Sequence, residues 1–155
     1  MHHSISKKDA LSAAMKLCSK EERCASDVRK KLEDWGLHHA EMDEVIDHLI
    51  ANKYIDEKRY ACSFANDRYR FNKWGRLKIR QAMHLKQIDP VSAEQALAEI
   101  DETDYLLVFR EEMEKKMRSI HEGTEVEKKA KLYRFGASRG FENDLIYKLL
   151  DEYFK

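Results

Sequence analysis

Three stretches of this sequence, each about fifty residues from the next, carry the same apolar register, and that repetition narrows the possible folds more than any other feature. Counted from Leu37, Ile88 and Phe141, the positions five, nine and twelve residues on are Met42, Ala93 and Ile146, then Ile46, Leu97 and Leu150, then Leu49, Ile100 and Tyr153. Steps of three and four place such residues on one face of a helix. The clearest stripe is Met42, Val45, Ile46, Leu49 and Ile50; Leu145, Ile146, Leu149, Leu150, Tyr153 and Phe154 form its counterpart near the C-terminus. Before each stripe stands a turn: Trp35-Gly36-Leu37, Gln87-Ile88-Asp89-Pro90, and Arg139-Gly140-Phe141. A glycine there suits the left-handed residue that ends a helix, while Asp89 and Pro90 suit the cap and first residue of the next.

Each unit also opens with a longer apolar pattern. Leu11, Met15 and Cys18 mark it in the first unit, Tyr60, Phe64 and Phe71 in the second, and Leu106, Phe109, Met113, Met117 and Ile120 in the third. Asp56, Asp101 and the pair Thr124 and Glu127 supply helix-start signals. The pattern predicts an all-α chain of nine helices in three tandem three-helix repeats, over residues 7–54, 55–101 and 102–155. Helices this short bury only part of their apolar faces within one unit, so an elongated, curved array completed by neighbouring units is expected. With Gly 5, Pro 1 and 37% charged residues, the composition favours helix over sheet.

Several chemistries are disfavoured. No run of eighteen apolar residues occurs, and Met1 to Ala10 lacks a secretory apolar stretch, so a cytoplasmic protein is expected. Cys18, Cys24 and Cys62 form an odd set without close pairing, which predicts reduced thiols. Cys18, Cys24, His38 and His39 share one repeat, but five residues separate the cysteines where zinc sites use two to four, so no metal is assigned. His2 and His3 are given no role. There is no phosphate-binding glycine loop and no nucleophile with a partnered base, so no cofactor and no enzymatic activity are expected. A helix-turn-helix reader of duplex DNA is opposed by acids on the third helix of each unit, such as Asp43, Glu44, Glu94, Glu99, Asp144 and Asp151.

The formal net charge is zero, yet the charges are segregated. Arg68, Arg70, Lys73, Arg76, Lys78, Arg80 and Lys86 run without an intervening acid, and a run rich in acids follows from Asp89 to Glu112. On the helix opening at Gly75, the spacing predicts Ile79, Ala82 and Met83 on the buried side and Arg76, Arg80 and His84 on a ridge beside it. Reversing Arg76 and Arg80 to Glu is therefore expected to spare the fold. Trp74 is expected to fill the inter-helix core, with stacking on a base as the alternative. Arg68, Arg70, Lys73, Arg76, Lys78 and Arg80 form the candidate contact surface for acidic protein, nucleic acid or both. A helical scaffold with another partner and a direct binder of single-stranded DNA are the alternatives.

Asp56-Glu57-Lys58-Arg59-Tyr60-Ala61 resembles the opening motif of the middle repeat in the RecX family, and Lys73-Trp74-Gly75-Arg76-Leu77-Lys78-Ile79-Arg80-Gln81 resembles that family's signature. The resemblance runs from Ala10 to Phe154 and marks Asp56, Arg59, Tyr60, Ala61, Trp74, Gly75 and Ile79 as mainly structural. Gln87 departs from the family's usual glycine, and Cys24 from its usual serine cap, with Ser26 as the nearest replacement cap. The resemblance implies a modulator of the RecA recombinase, lodged in the groove of its filament on single-stranded DNA and restraining its ATPase, strand-exchange and coprotease activities; a monomer is expected.

Overall fold

The computed structural model describes residues 5–155; His2 and His3 lie outside the described residues. Every regular element among the described residues is helical, as the repeat predicts. In chain order these are α1 (Lys7–Lys20), α2 (Ala25–Asp34), α3 (His39–Ala51), α4 (Glu57–Phe71), α5 (Arg76–Leu85), α6 (Pro90–Ala98), α7 (Glu102–Ser119), α8 (Glu125–Ser138) and α9 (Asn143–Tyr153).

The helix ends follow the sequence signals. The side chains of Asp56, Asp101 and Thr124 accept from the backbone N–H three residues on, at 2.9, 2.9 and 3.2 Å. Asp89 does the same for Ser92 ahead of α6, which begins at Pro90. The three equivalent turns close identically: Leu37, Ile88 and Phe141 each donate to the carbonyl five residues back, at 3.0, 3.1 and 3.1 Å. Gly36, Gln87 and Gly140, at φ 79°, 60° and 88°, are the left-handed residues that this closure demands. Gln87 thus holds a conformation that glycine adopts without strain.

The chain divides into two compact units, and the division passes through α4, α5 and α6. The first unit runs through Ser63 and takes up Met83–Gln95. Its core gathers Ala10, Ala14, Val28, Leu32, Leu37, Met42, Val45, Ile46, Leu49 and Ile55, with Leu11, Met15, Cys18 and Trp35 packed partly buried against them. The second unit joins Phe64–Ala82 to Ala96–Lys155. Its centre is aromatic: Tyr69 meets Tyr105 edge-on at 6.1 Å between ring centroids, and Phe141 meets Tyr105 at 5.9 Å and Phe109 at 5.0 Å.

Ile46, Leu97 and Leu150, equivalent in the repeat, are all buried. Two assignments to the apolar stripes fail. Phe71 is 78% exposed, because the buried face of α4 runs through Tyr60, Ala61, Phe64, Ala65 and Tyr69, and a residue two beyond Tyr69 lies on the opposite side. Ile50 is 47% exposed, rotated one residue past Leu49.

Candidate functional site

The start of α5 is built from the signature around Trp74 and Gly75. A helix leaves its first N–H groups without partners. Here the end of α8 supplies them: Gly75 donates to the Arg139 carbonyl at 2.7 Å and Leu77 to the Gly140 carbonyl at 3.0 Å. The approach requires two glycines. A Cβ on Gly75 would stand 2.3 Å from the Gly140 carbonyl carbon, and one on Gly140 would stand 2.3 Å from the Lys78 Cβ.

Arg76 locks this joint. Its backbone N–H donates to the Tyr105 hydroxyl at 2.9 Å, and that hydroxyl donates to Glu142 Oε1. The guanidinium lies 4.0 Å from the centre of the Tyr105 ring, with Nη1 2.9 Å from Glu142 Oε2 and Nη2 2.5 Å from Glu102 Oε2. Burial acts to lower the Arg76 pKa, but the hydrogen bonds and charges of Glu102 and Glu142 outweigh it and raise the value. Burial, reinforced by the Glu142 carboxylate, pushes the Tyr105 phenol far upward, so it stays protonated and donating. With its side chain only 15% exposed, Arg76 does not stand on an outward ridge as the periodicity predicts, and its reversal is instead expected to destabilise the fold. Glu102, Tyr105 and Glu142 escape a reading by local pattern because they lie on α7 and just ahead of α9, far from Arg76 in sequence.

The remaining basic residues of this stretch divide between surface pairs and aromatic contacts. The Arg70 guanidinium hydrogen-bonds the Tyr69 hydroxyl at 3.0 Å and lies 3.6 Å from Asp104. Arg80 is half-buried and also engaged with neighbouring groups. Arg68 lies 4.7 Å from the Phe64 ring centre and 5.7 Å from that of Trp74, while the Lys78 ammonium stands 4.7 Å from Trp74. Trp74 is half-buried rather than sealed in a core, and is flanked by these cations. Lys73, at φ 60°, makes the turn that brings Trp74 back toward α4, where its N–H donates to the Arg68 carbonyl at 3.2 Å. Arg68, Trp74 and Lys78 thus form a compact cation–aromatic cluster.

The earlier signature residues build the first unit. Asp56 caps α4, Ala61 is fully buried, and Arg59 reaches Glu22 at 2.5 Å and the Lys53 carbonyl at 3.0 Å. Tyr60 is buried, which pushes its phenol up to about 12, and lies 5.8 Å from the Lys86 ammonium. Lys86 pairs with Asp27 at 3.0 Å. Cys24 occupies the cap position of α2 without a side-chain cap bond. Ser26 is no substitute for it: its hydroxyl donates instead to the Lys86 carbonyl at 2.6 Å, tying α2 to the end of α5. His38, one of the residues weighed as a metal ligand, caps α3 through Nδ1, 3.2 Å from the Ala40 N–H.

Fold and site together define an all-helical repeat protein whose charged side chains are organised around helix joints and a cation–aromatic cluster. Residues 56–97 match the family model described as RecX, second three-helix domain, and residues 104–150 match RecX, third three-helix domain. The regulatory protein RecX of Actinobacillus pleuropneumoniae serotype 5b is 30% identical over 143 residues, covering 92% of this chain and 91% of that protein. That of Chlorobium phaeobacteroides (strain BS1) is 27% identical over 148 residues, covering 96% and 95%. The crystal structure of RecX from Lactobacillus salivarius shares the fold, with TM-score 0.83 and 24% identity over 94% of this chain and 95% of that one. The chain belongs to the RecX family of regulatory proteins.

Proposed function

We propose that this protein is a cytoplasmic, monomeric regulator that binds the RecA filament on single-stranded DNA and restrains its ATPase, strand-exchange and coprotease activities, acting by binding rather than catalysis. The three repeats, over residues 7–54, 55–101 and 102–155, serve in this reading as successive contact modules. Membership of the RecX family supports it, and the observation that carries it is the cluster of Arg68, Trp74 and Lys78, where cations converge on a half-buried aromatic ring. Such a surface suits phosphates, acidic side chains, or both at once. Arg68, Arg70, Lys73, Lys78 and Arg80 are the proposed contact residues, with Arg76 fixing the start of α5. No helix among the described residues is long and apolar enough to cross a membrane, which accords with the proposed location.

The test is RecA ATPase on single-stranded DNA with and without this protein at fixed salt. A dose-dependent fall in turnover supports the proposal, and unchanged turnover at saturating protein refutes it.

A further inference from the structure

The third repeat departs from the other two at one pair of surface positions. Eight residues before and six after Leu37, Ile88 and Phe141 stand Arg29 and Asp43, then Arg80 and Glu94, then Tyr133 and Tyr147. In the first repeat the pair is ionic, with the Arg29 guanidinium 2.6 Å from Asp43 across α2 and α3. In the third the two rings stack across α8 and α9, with 5.4 Å between centroids and 21° between planes. Either pair can hold one helix on the other, but only the ionic one leaves the face fully hydrated. Tyr147 is 54% exposed, so the third repeat presents aromatic surface where the first presents charge.

The stack borders an open cleft of about 350 Å³, lined by Lys129, Ala130 and Tyr133 on α8 and by Tyr147, Leu150 and Asp151 on α9. The cleft lies wholly in the second unit. Its charges are balanced, with one cation on one wall and one carboxylate on the other. Among the described residues, none of the ion pairs takes in Asp151, and Lys129 meets Glu125 one turn away on its own helix at 3.3 Å. An exposed pair of that kind holds its cation only weakly. A polyanion on this face would meet Asp151, and a polycation would meet Lys129. A second copy of the same face suits both charges: across a two-fold axis, Lys129 of each molecule faces Asp151 of the other, and the tyrosines close on their own counterparts.

We propose that the α8–α9 face is a contact between two copies of this chain, with the stacked tyrosines at its centre and reciprocal Lys129 and Asp151 pairs at its rim. Interfaces below roughly 1,200 Å² are characteristically weak and transient, and one cleft with its rim makes a contact of that class. The free chain therefore stays monomeric when dilute, as in the functional reading above, and pairs where copies are concentrated, as on neighbouring sites of one filament. The proposal goes beyond that reading, and its test contains no RecA, so its failure would leave the filament reading standing.

The experiment is sedimentation equilibrium of the whole protein at moderate salt, from about 10 μM to about 1 mM, a range that spans weak association. The parent should weigh as one chain at the low end and about half as much again at the high end, for a dissociation constant on the order of 1 mM. The double variant Tyr133→Arg, Tyr147→Asp gives the third repeat the ionic pair that Arg29 and Asp43 form in the first, so it should remain folded by circular dichroism. Its pairing should weaken at least about tenfold, which brings its mass close to that of one chain throughout. Lys129→Asp and Asp151→Lys should each lose pairing alone, because like charges then face across the axis, and an equimolar mixture of the two should recover it. These single variants carry the test independently of the tyrosines. The proposal is overturned if the parent keeps the mass of one chain at the highest concentration, which would leave the face to a different partner. It is also overturned if the folded tyrosine variant pairs like the parent, or if the mixture of charge variants pairs no better than either alone.

Discussion

Arg76 and Lys86 stand at opposite ends of one helix and meet similar surroundings in two different units. Each faces a carboxylate and a tyrosine: Arg76 has Glu102, Glu142 and Tyr105, and Lys86 has Asp27 and Tyr60. They differ in burial and in how the charge is held. The Arg76 side chain is 15% exposed and its planar fork engages two carboxylates, whereas Lys86 is 34% exposed and holds one. A guanidinium can bridge several acceptors in a fixed geometry, while an ammonium is a point charge that water also serves. The comparison teaches that a run of basic residues is not one surface. Arg76 and Lys86 hold α5 in place, and the other basic residues of the run are the ones proposed for contact.

The largest effect is expected from Arg76→Glu. It sets three carboxylates together around Tyr105, and losing a buried charge partner typically costs about 3–5 kcal/mol. Urea denaturation should show that loss; a change below about 1 kcal/mol would make Arg76 equivalent to a surface cation and erase the contrast with Lys86.

Lys86→Met should cost less, about 1 kcal/mol at neutral pH, since its pair is partly solvated. Burial acts to raise the Asp27 carboxyl, but bonding and charge from Lys86, together with hydrogen bonds to Cys24, hold it below its ordinary 3.8. Burial likewise acts to lower Lys86, and Asp27 and Tyr60 raise it above 10.5. The depressed acid contributes above its unfolded value and loses that contribution as pH falls through its folded value. The raised base contributes below its unfolded value and loses it as pH rises through its folded one. Parent and variant should therefore differ most between these limits and converge in acid, as denaturation at pH 3 and pH 7 can check.

The smallest effect concerns the turns. Gln87→Gly should stabilise the protein by about 0.5–1 kcal/mol, because relief of the left-handed strain exceeds the added chain entropy. Thermal unfolding should register a rise; a fall would mean that the Gln87 side chain supports the turn.

The repeat, the turns and the caps were legible in sequence because each depends on residues a few positions apart. Leu37, Ile88 and Phe141 set the register, and Asp56, Asp89, Asp101 and Thr124 set the helix starts. The role of Arg76 was not legible. Its partners Glu102 and Glu142 lie 26 and 66 residues away, and helical periodicity reports only which face a residue takes, not what meets that face. The same limit explains Phe71, where the buried face of α4 follows Tyr69, and Trp74, where a half-buried ring is held by cations rather than enclosed. Ser26 was misassigned for a different reason. A hydroxyl near a helix start suggests a cap, but its acceptor, the Lys86 carbonyl, lies 60 residues on.

The central claim is that the basic residues of this stretch other than Arg76 and Lys86, namely Arg68, Arg70, Lys73, Lys78 and Arg80, contact the RecA filament. The direct measurement is RecA ATPase on single-stranded DNA in the presence of the parent protein or of the triple variant Arg68→Gln, Lys73→Gln, Lys78→Gln, with folding checked by circular dichroism. The account predicts a folded variant that no longer restrains RecA at concentrations where the parent does. A folded variant that restrains RecA as well as the parent would contradict it.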